Sequence, residues 1–265
     1  MPALQLSAIR LLLAGFLFLL FFLFKKTTWP RRKEWLTIVI LGLLNLFLTN
    51  GLTTLGVKYI PAGLASIIAA IYPLWLVFLG PFYGRTKKIP AGIIIGLLLG
   101  FGGICVIFYE HLKDLLNADF RFGIVISLIA SLTWALGTIF TKRAAKSFNP
   151  YFSICLQMII SGLLMLLVAT ATGNWIPLDR IPMLSWMDIS YLAIFGSILA
   201  FLTFLYALQH LSTEQVSIYA YLNPIVAVIL GSVFFNEKFS LFIGVGGLIT
   251  LYGVFLVNRS LRKPR

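Results

Sequence analysis

The sequence alternates long apolar runs with short clusters of charge, proline, glycine and aromatic residues, and each run is long enough to cross a bilayer. A crossing helix needs roughly 20 residues at 1.5 Å rise to pass a hydrocarbon core of about 30 Å. Spans of that length are predicted near 3–24, 36–57, 62–83, 89–108, 122–141, 151–172, 187–208, 214–235 and 240–258. With 60% hydrophobic and 11% charged residues, the chain could not hide its apolar surface from water, since soluble proteins run near 45–50% apolar and about 25% charged. The expected fold class is therefore all-α: a polytopic membrane helical bundle of nine transmembrane helices. The first run lacks a basic leader and an Ala-x-Ala site, so it reads as a span and not as a cleaved signal.

A net charge of +13 would suggest a nucleic-acid partner in a soluble protein, so its distribution matters more than its sum. If the loop 25–34 is cytoplasmic and sides alternate from there, the inside holds Lys25, Lys26, Arg31–Lys33, Arg85, Lys87, Lys88, Lys142, Arg143, Lys146 and the basic carboxyl end. The outside holds only Lys58, Lys113, Arg121, Arg180 and Lys238. Fifteen basic residues against five is a positive-inside bias that puts the carboxyl terminus in the cytoplasm. The basic excess then reports topology, and no nucleic acid is expected. Cys105 and Cys155 both fall inside spans without a Cys-x-x-Cys spacing and read as small buried hydrophobes.

The chain also matches itself at an offset of 151. Ser66 pairs with Ser217, Ala69 with Ala220, Pro73 with Pro224, Gly96 with Gly247, Gly102 with Gly253 and, upstream, Trp35 with Trp186. Leucine and glycine coincide cheaply in membrane sequence; serine, proline and tryptophan in one register do not. Two repeats are expected, 1–110 and 122–258. The second holds five spans, and an odd number makes the two copies face opposite ways. Loop charge agrees, because Arg85-Thr86-Lys87-Lys88 is replaced in the second copy by the neutral Asn236-Glu237-Lys238. Helix 122–141 has no partner at this offset, so the division is four spans plus five. On that ground the chain is expected to be an amino-terminally shortened form of a ten-helix protein.

Three stretches carry a resemblance to a known family. They are Gly63 through Pro73 with its copy Glu214 through Pro224, then Ala130-Ser131-Leu132-Thr133-Trp134-Ala135-Leu136-Gly137 followed by Lys142-Arg143, and the closing Gly244-x-Gly246-Gly247 helix. Through them the chain resembles the drug/metabolite transporter superfamily in its EamA-like branch, over essentially its whole length. The resemblance implies ten helices in two inverted five-helix repeats, a central solute cavity, and export of amino acids and related metabolites. This chain departs from that pattern at its amino end.

In lipid, a polar side chain within a span needs a partner or water, so such residues mark packing seams or a cavity. Pro73 and Pro224 are expected to bend their helices and free carbonyls for a solute. Beside them Tyr72 in one copy, and Tyr219, Tyr221 and Asn223 in the other, suit a binding wall; Trp75 reads as packing. Asn45, Thr49 and Thr53 share one helix stripe with Asn50 and Thr54 beside it, which fits either cavity lining or interhelical hydrogen bonds. Trp134 and Thr138 form a similar pair. Arg10 is a cation within a span, with two readings open: contact with an anion, or snorkelling to the headgroups. Gly92, Gly96 and Gly100, four apart, read as close helix packing.

No enzyme is expected. His111 and His210 lie in connections, no His-Glu-x-x-His or Gly-x-Ser-x-Gly is present, and the eight carboxylates fall at or beyond span ends. Without a carboxylate at membrane depth, facilitated diffusion or exchange is favoured over strong proton coupling. The reading is an inner-membrane permease for small metabolites such as amino acids, working in efflux by alternating access around a cavity lined by helices 36–57, 62–83, 122–141 and 214–235. The alternatives are a flippase for a lipid-linked head group, which needs a laterally open, basic-rimmed cavity, and a membrane sensor or assembly protein. The partners expected are a small-molecule solute and the lipid bilayer, with a homodimer left open; no cofactor and no metal are expected.

Overall fold

A computed structural model describes the chain except residues 61, 84–88, 108, 110–117, 146–147, 174, 227–240 and 263–265. The expectations for the basic loop 84–88, for most of the 109–121 connection, for the end of span 214–235 and for the last residues lie outside what is described. Among the described residues every regular element is helical. Helix α1 is Ala3–Phe24, α2 is Arg32–Gly56, α3 is Ala62–Ala69, α4 is Tyr72–Leu79 and α5 is Ala91–Ile107. Helix α6 is Ala118–Ala144, α7 is Pro150–Ala171, α8 is Met183–His210, α9 is Thr213–Ser217, α10 is 219–226 and α11 is Leu241–Arg262. The chain is an all-α, multi-pass membrane protein, in which α1, α2, α7, α8 and 119–144 of α6 are each long and apolar enough to cross unaided.

Helix ends differ from the predicted spans where polar residues belong to the first or last turn. Helix α2 starts at Arg32 and not at 36 because the Glu34 carboxylate accepts the Arg31 backbone N–H at 2.7 Å, occupying an amide that the helix start leaves without a partner. Helix α6 carries Asp119 in its first turn and Lys142 and Arg143 in its last, the signs that the helix dipole favours at each end. Helix α7 starts at Pro150 because Asn149 caps it, its Oδ1 accepting from the N–H groups of Tyr151 and Phe152.

The largest correction concerns span 62–83, expected as one helix bent at Pro73. The chain instead breaks at Ala70–Ile71 into α3 and α4, with Pro73 in the first turn of α4. Proline has no N–H to give to a carbonyl one turn back, so it is accommodated at a helix start more cheaply than inside one. The copy is interrupted at a different place, at Ile218 between α9 and α10, and Pro224 is the sixth residue of α10, so the helix-start reason applies to Pro73 alone.

Leu43–Leu48 within α2 and Ile194–Leu199 within α8 are both wide π-turns, and both their starts and their ends lie 151 residues apart. In the first, the Thr49 hydroxyl donates to the Leu44 carbonyl five residues back at 2.7 Å, a bond that suits the wider turn. Helices α1 and α7 are both 22 residues long but start only 147 apart. The connection 172–182 absorbs the difference, being four residues longer than 25–31. This is why span 3–24 maps onto 151–172 only to within about three residues.

The chain forms two compact units, each drawing on both halves of the sequence: 1–54 with 140–210, and 55–139 with 211–265. In the first, α1 packs along its repeat equivalent α7. Ala8, Leu11, Ala14, Phe18 and Phe22 form one face of α1 against Phe152, Cys155, Met158 and Met165. Gly15 lets the backbones close, since a Cβ there would lie 2.7 Å from Ile159 Cγ1. In the second, α5 packs along its equivalent α11. A Cβ at Gly96 would lie 2.7 Å from the Gly253 carbonyl, and one at Gly100 would lie 2.7 Å from the Tyr221 ring. The glycine stripe therefore acts as a packing face, as its spacing predicted.

Candidate functional site

In the unit 55–139 with 211–265, three of the singled-out residues meet. Tyr72 at the start of α4 lies with its ring centroid 6.3 Å from Trp134 on α6 and 6.0 Å from Tyr219 on α10. Hydrogen bonds run through the group in one direction. The Tyr72 hydroxyl donates to Thr138 Oγ1 at 3.1 Å, Thr138 donates to the Trp134 carbonyl at 2.9 Å, and the Trp134 indole N–H donates to the Tyr219 hydroxyl at 2.8 Å. Tyr72 and Thr138 are buried, whereas Trp134 and Tyr219 are half-buried and form the accessible side of the cluster. Asn223 lies one turn beyond Tyr219 on α10 and is exposed, with Pro224 buried beside it; residues four apart share a helix face.

Tyr221, expected to contact solute, does not join them. It is 0% exposed, its hydroxyl donates to the Leu97 carbonyl at 2.9 Å, and its ring lies on Gly100. Two residues along a helix turn a side chain by about 200°, so Tyr219 and Tyr221 cannot line one wall. Tyr221 is a packing residue that ties α10 to α5.

Helix α6 adds what the sequence reading missed. Ser127, Ser131, Trp134 and Thr138 are spaced four, three and four apart, one continuous stripe. The Ser127 and Ser131 hydroxyls are buried and have no hydrogen-bond partner among the described residues. Buried hydroxyls in helices ordinarily back-bond to a preceding carbonyl, as Thr133 does to Ala130 at 2.8 Å. The i, i+4, i+7, i+11 spacing is the sequence signal for this stripe, of which the Trp134 and Thr138 pair is only the carboxyl-terminal half.

The unit 1–54 with 140–210 holds the other predicted residues. Arg10 donates from Nη2 to Asn50 Oδ1 at 3.2 Å, and Asn50 donates to the Leu46 carbonyl at 2.8 Å. The stripe beside Asn50 serves packing at Asn45, which is buried and donates to Thr141 Oγ1 at 3.0 Å and to Gln157 Oε1 at 3.3 Å. Gln157 donates in turn to Ser153 at 2.9 Å, and Ser161 donates to the Gly42 carbonyl at 2.9 Å. Ser153, Gln157 and Ser161, spaced four apart, form one polar stripe on α7. Gln5 clamps the backbone of Ile176, donating to its carbonyl at 2.7 Å and accepting its N–H at 3.0 Å. A groove of about 500 Å³ runs along Leu17, Phe18, Phe21 and Phe22 to Lys25, with Ile198 and Leu202 opposite.

The model of the EamA-like transporter family matches residues 1–109 and 121–259. The chain is 28% identical to the uncharacterized inner membrane transporter YedA of Escherichia coli K12, over 97% of this chain and 82% of that one. It is 27% identical to the uncharacterized transporter YvbV of Bacillus subtilis, over 100% and 85%. It is 28% identical to the chloroplastic WAT1-related protein At3g02690 of Arabidopsis thaliana, over 95% and 62%. One solved crystal structure shares the fold at a TM-score of 0.83 with 16% identity, over 97% of this chain and 89% of that one.

Proposed function

The chain belongs to the EamA-like transporter family, and from that membership we propose that this membrane transporter exports small metabolites, amino acids or solutes of similar size, across an inner membrane by alternating access. The two repeats we assign are 1–110 and 122–258, inserted in opposite senses, with the carboxyl terminus and the loop 25–31 cytoplasmic. The observation that carries the solute site is the α6 stripe. Two buried hydroxyls with no hydrogen-bond partner among the described residues, at Ser127 and Ser131, lead to an indole and two phenols joined by hydrogen bonds through Thr138. A polar file of this kind inside an apolar span costs stability unless water or a solute uses it. Trp134 and Tyr219 supply an amphipathic surface, and Asn223 supplies an amide that both donates and accepts.

The test is export from loaded proteoliposomes or overexpressing cells, after a metabolite-efflux screen has named a solute. Asn223→Ala is expected to raise the half-saturating concentration roughly threefold to tenfold, the worth of one neutral hydrogen bond, at unchanged expression. Unchanged kinetics in Asn223→Ala and in Ser131→Ala would remove this stripe from the solute path. Topology has its own test. Reporters active on one side of the membrane, fused to the carboxyl end and into 109–121, should give opposite signals, because an odd number of crossings is assigned between them.

A second reading, a flippase for a lipid-linked head group, is favoured by the groove that Leu17, Phe18, Phe21, Phe22, Ile198 and Leu202 line together with Lys25, Thr27, Asn149 and Tyr151, an apolar wall that includes one basic and three polar side chains. Scrambling of a fluorescent lipid in proteoliposomes, lost in Lys25→Gln, would support it over solute export.

A further inference from the structure

We infer that Arg10 and Asn50 form an oxyanion site at membrane depth, taking a carboxylate or phosphate group, so that the solute carried by this transporter is an acid. The inference rests on the transporter reading for its meaning, but its test does not. Arg10 is the eighth residue of α1, roughly 10 Å of helix from its start. A snorkelling arginine at that depth would extend its guanidinium along the helix to the headgroups. Arg10 turns across to α2 instead, where Nη2 meets Asn50 Oδ1, and its Nε is buried with no hydrogen-bond partner among the described residues.

A guanidinium has five N–H donors, stays charged at any working pH and matches the two oxygens of a carboxylate or the edge of a phosphate. Asn50 supplies a dipole but no charge, and among the described residues no carboxylate pairs with Arg10. Arg10 is half-buried, and drawing a guanidinium even partly out of water with no counter-charge carries a desolvation cost. Asn50 is itself held, its Nδ2 donating to Leu46 within the π-turn, so its Oδ1 is presented to Arg10 and the guanidinium is oriented before any ligand arrives. The missing element is a negative charge, and a solute or a lipid can bring it.

The experiment follows thermal unfolding of the purified full chain in a neutral maltoside detergent. The probes are benzoate, its neutral isostere benzamide, phosphatidylglycerol and phosphatidylcholine. Benzoate is expected to raise the melting temperature and benzamide is not. Arg10→Gln should weaken the apparent affinity for benzoate about tenfold to a hundredfold, the worth of a charged hydrogen bond. Its ligand-free melting temperature should equal or exceed that of the wild type, because a half-buried charge with no counter-ion among the described residues has been removed. Arg10→Lys should retain part of the benzoate response. An Arg10-dependent response to benzoate identifies a solute acid as the source of the anion. The same response to phosphatidylglycerol alone supports the oxyanion site but overturns the acidic solute. Equal benzoate responses in wild type and Arg10→Gln, or no Arg10-dependent response to either anion, overturn the site itself. None of these outcomes depends on Asn223 or the α6 stripe, so the two assignments fail separately.

Discussion

Gly253→Ala is expected to destabilise the protein by about 3 kcal/mol, and Gly253→Leu to leave no folded protein in detergent. The added Cβ would lie 2.5 Å from the Gly100 nitrogen, 2.5 Å from the Gly96 carbonyl oxygen and 3.0 Å from the Gly100 Cα. All three are backbone atoms of α5, so no side chain can rotate away and the helices must separate. Separation also strains the bond from the Thr250 hydroxyl to the Gly100 carbonyl at 3.3 Å. Overpacking of a tight core costs about 1–3 kcal/mol and more where nothing can yield. The control is Gly102→Ala, at the residue that is Gly253's equivalent at the repeat offset. No atom of the described residues lies within 4 Å of a Cβ there, so alanine should be neutral or stabilise the helix by up to about 1 kcal/mol. Thermal unfolding in detergent reads both; equal melting temperatures for the two variants would contradict the packing of α5 on α11.

Asn45→Leu is expected to cost about 2 kcal/mol, at the upper end of what interhelical hydrogen bonds contribute in membranes. The leucine fits the volume but leaves the Gln157 carbonyl oxygen and the Thr141 hydroxyl without the donor they now share. Leaving a buried polar group unmatched is costlier than replacing both partners by apolar ones. The double variant Asn45→Leu with Gln157→Leu should therefore recover part of the loss. A double-mutant cycle by unfolding in mixed detergent measures this, and strictly additive effects would mean that the two amides do not act together.

Much of this protein could be read along one dimension. Bilayer thickness and the cost of bare backbone in lipid make span length and helical structure local properties of the sequence, so the all-α class and the cores of α1, α2, α6, α7 and α8 were all predicted. The offset of 151 was equally legible, and two π-turns recur at it, because register is a property of sequence order. Packing faces could be read where small residues repeat every four positions, as in Gly92, Gly96 and Gly100.

What hydropathy did not carry was which member of each equivalent pair makes a contact. Gly96 and Gly253 are tightly packed while their repeat equivalents Gly247 and Gly102 meet no atom of the described residues within 4 Å, since α5 and α11 touch along one side only. Tyr219 and Tyr221 are chemically alike, yet one joins Trp134 and the other is held by Leu97 across 124 residues. Arg10 meets Asn50 from 40 residues away on α2, a partner that hydropathy did not name. The physical reason is common to all three. Lipid is a uniform solvent, so burial by itself does not rank partners; a polar group or a glycine takes its role from the one helix that packs against it, and that choice exists only in three dimensions.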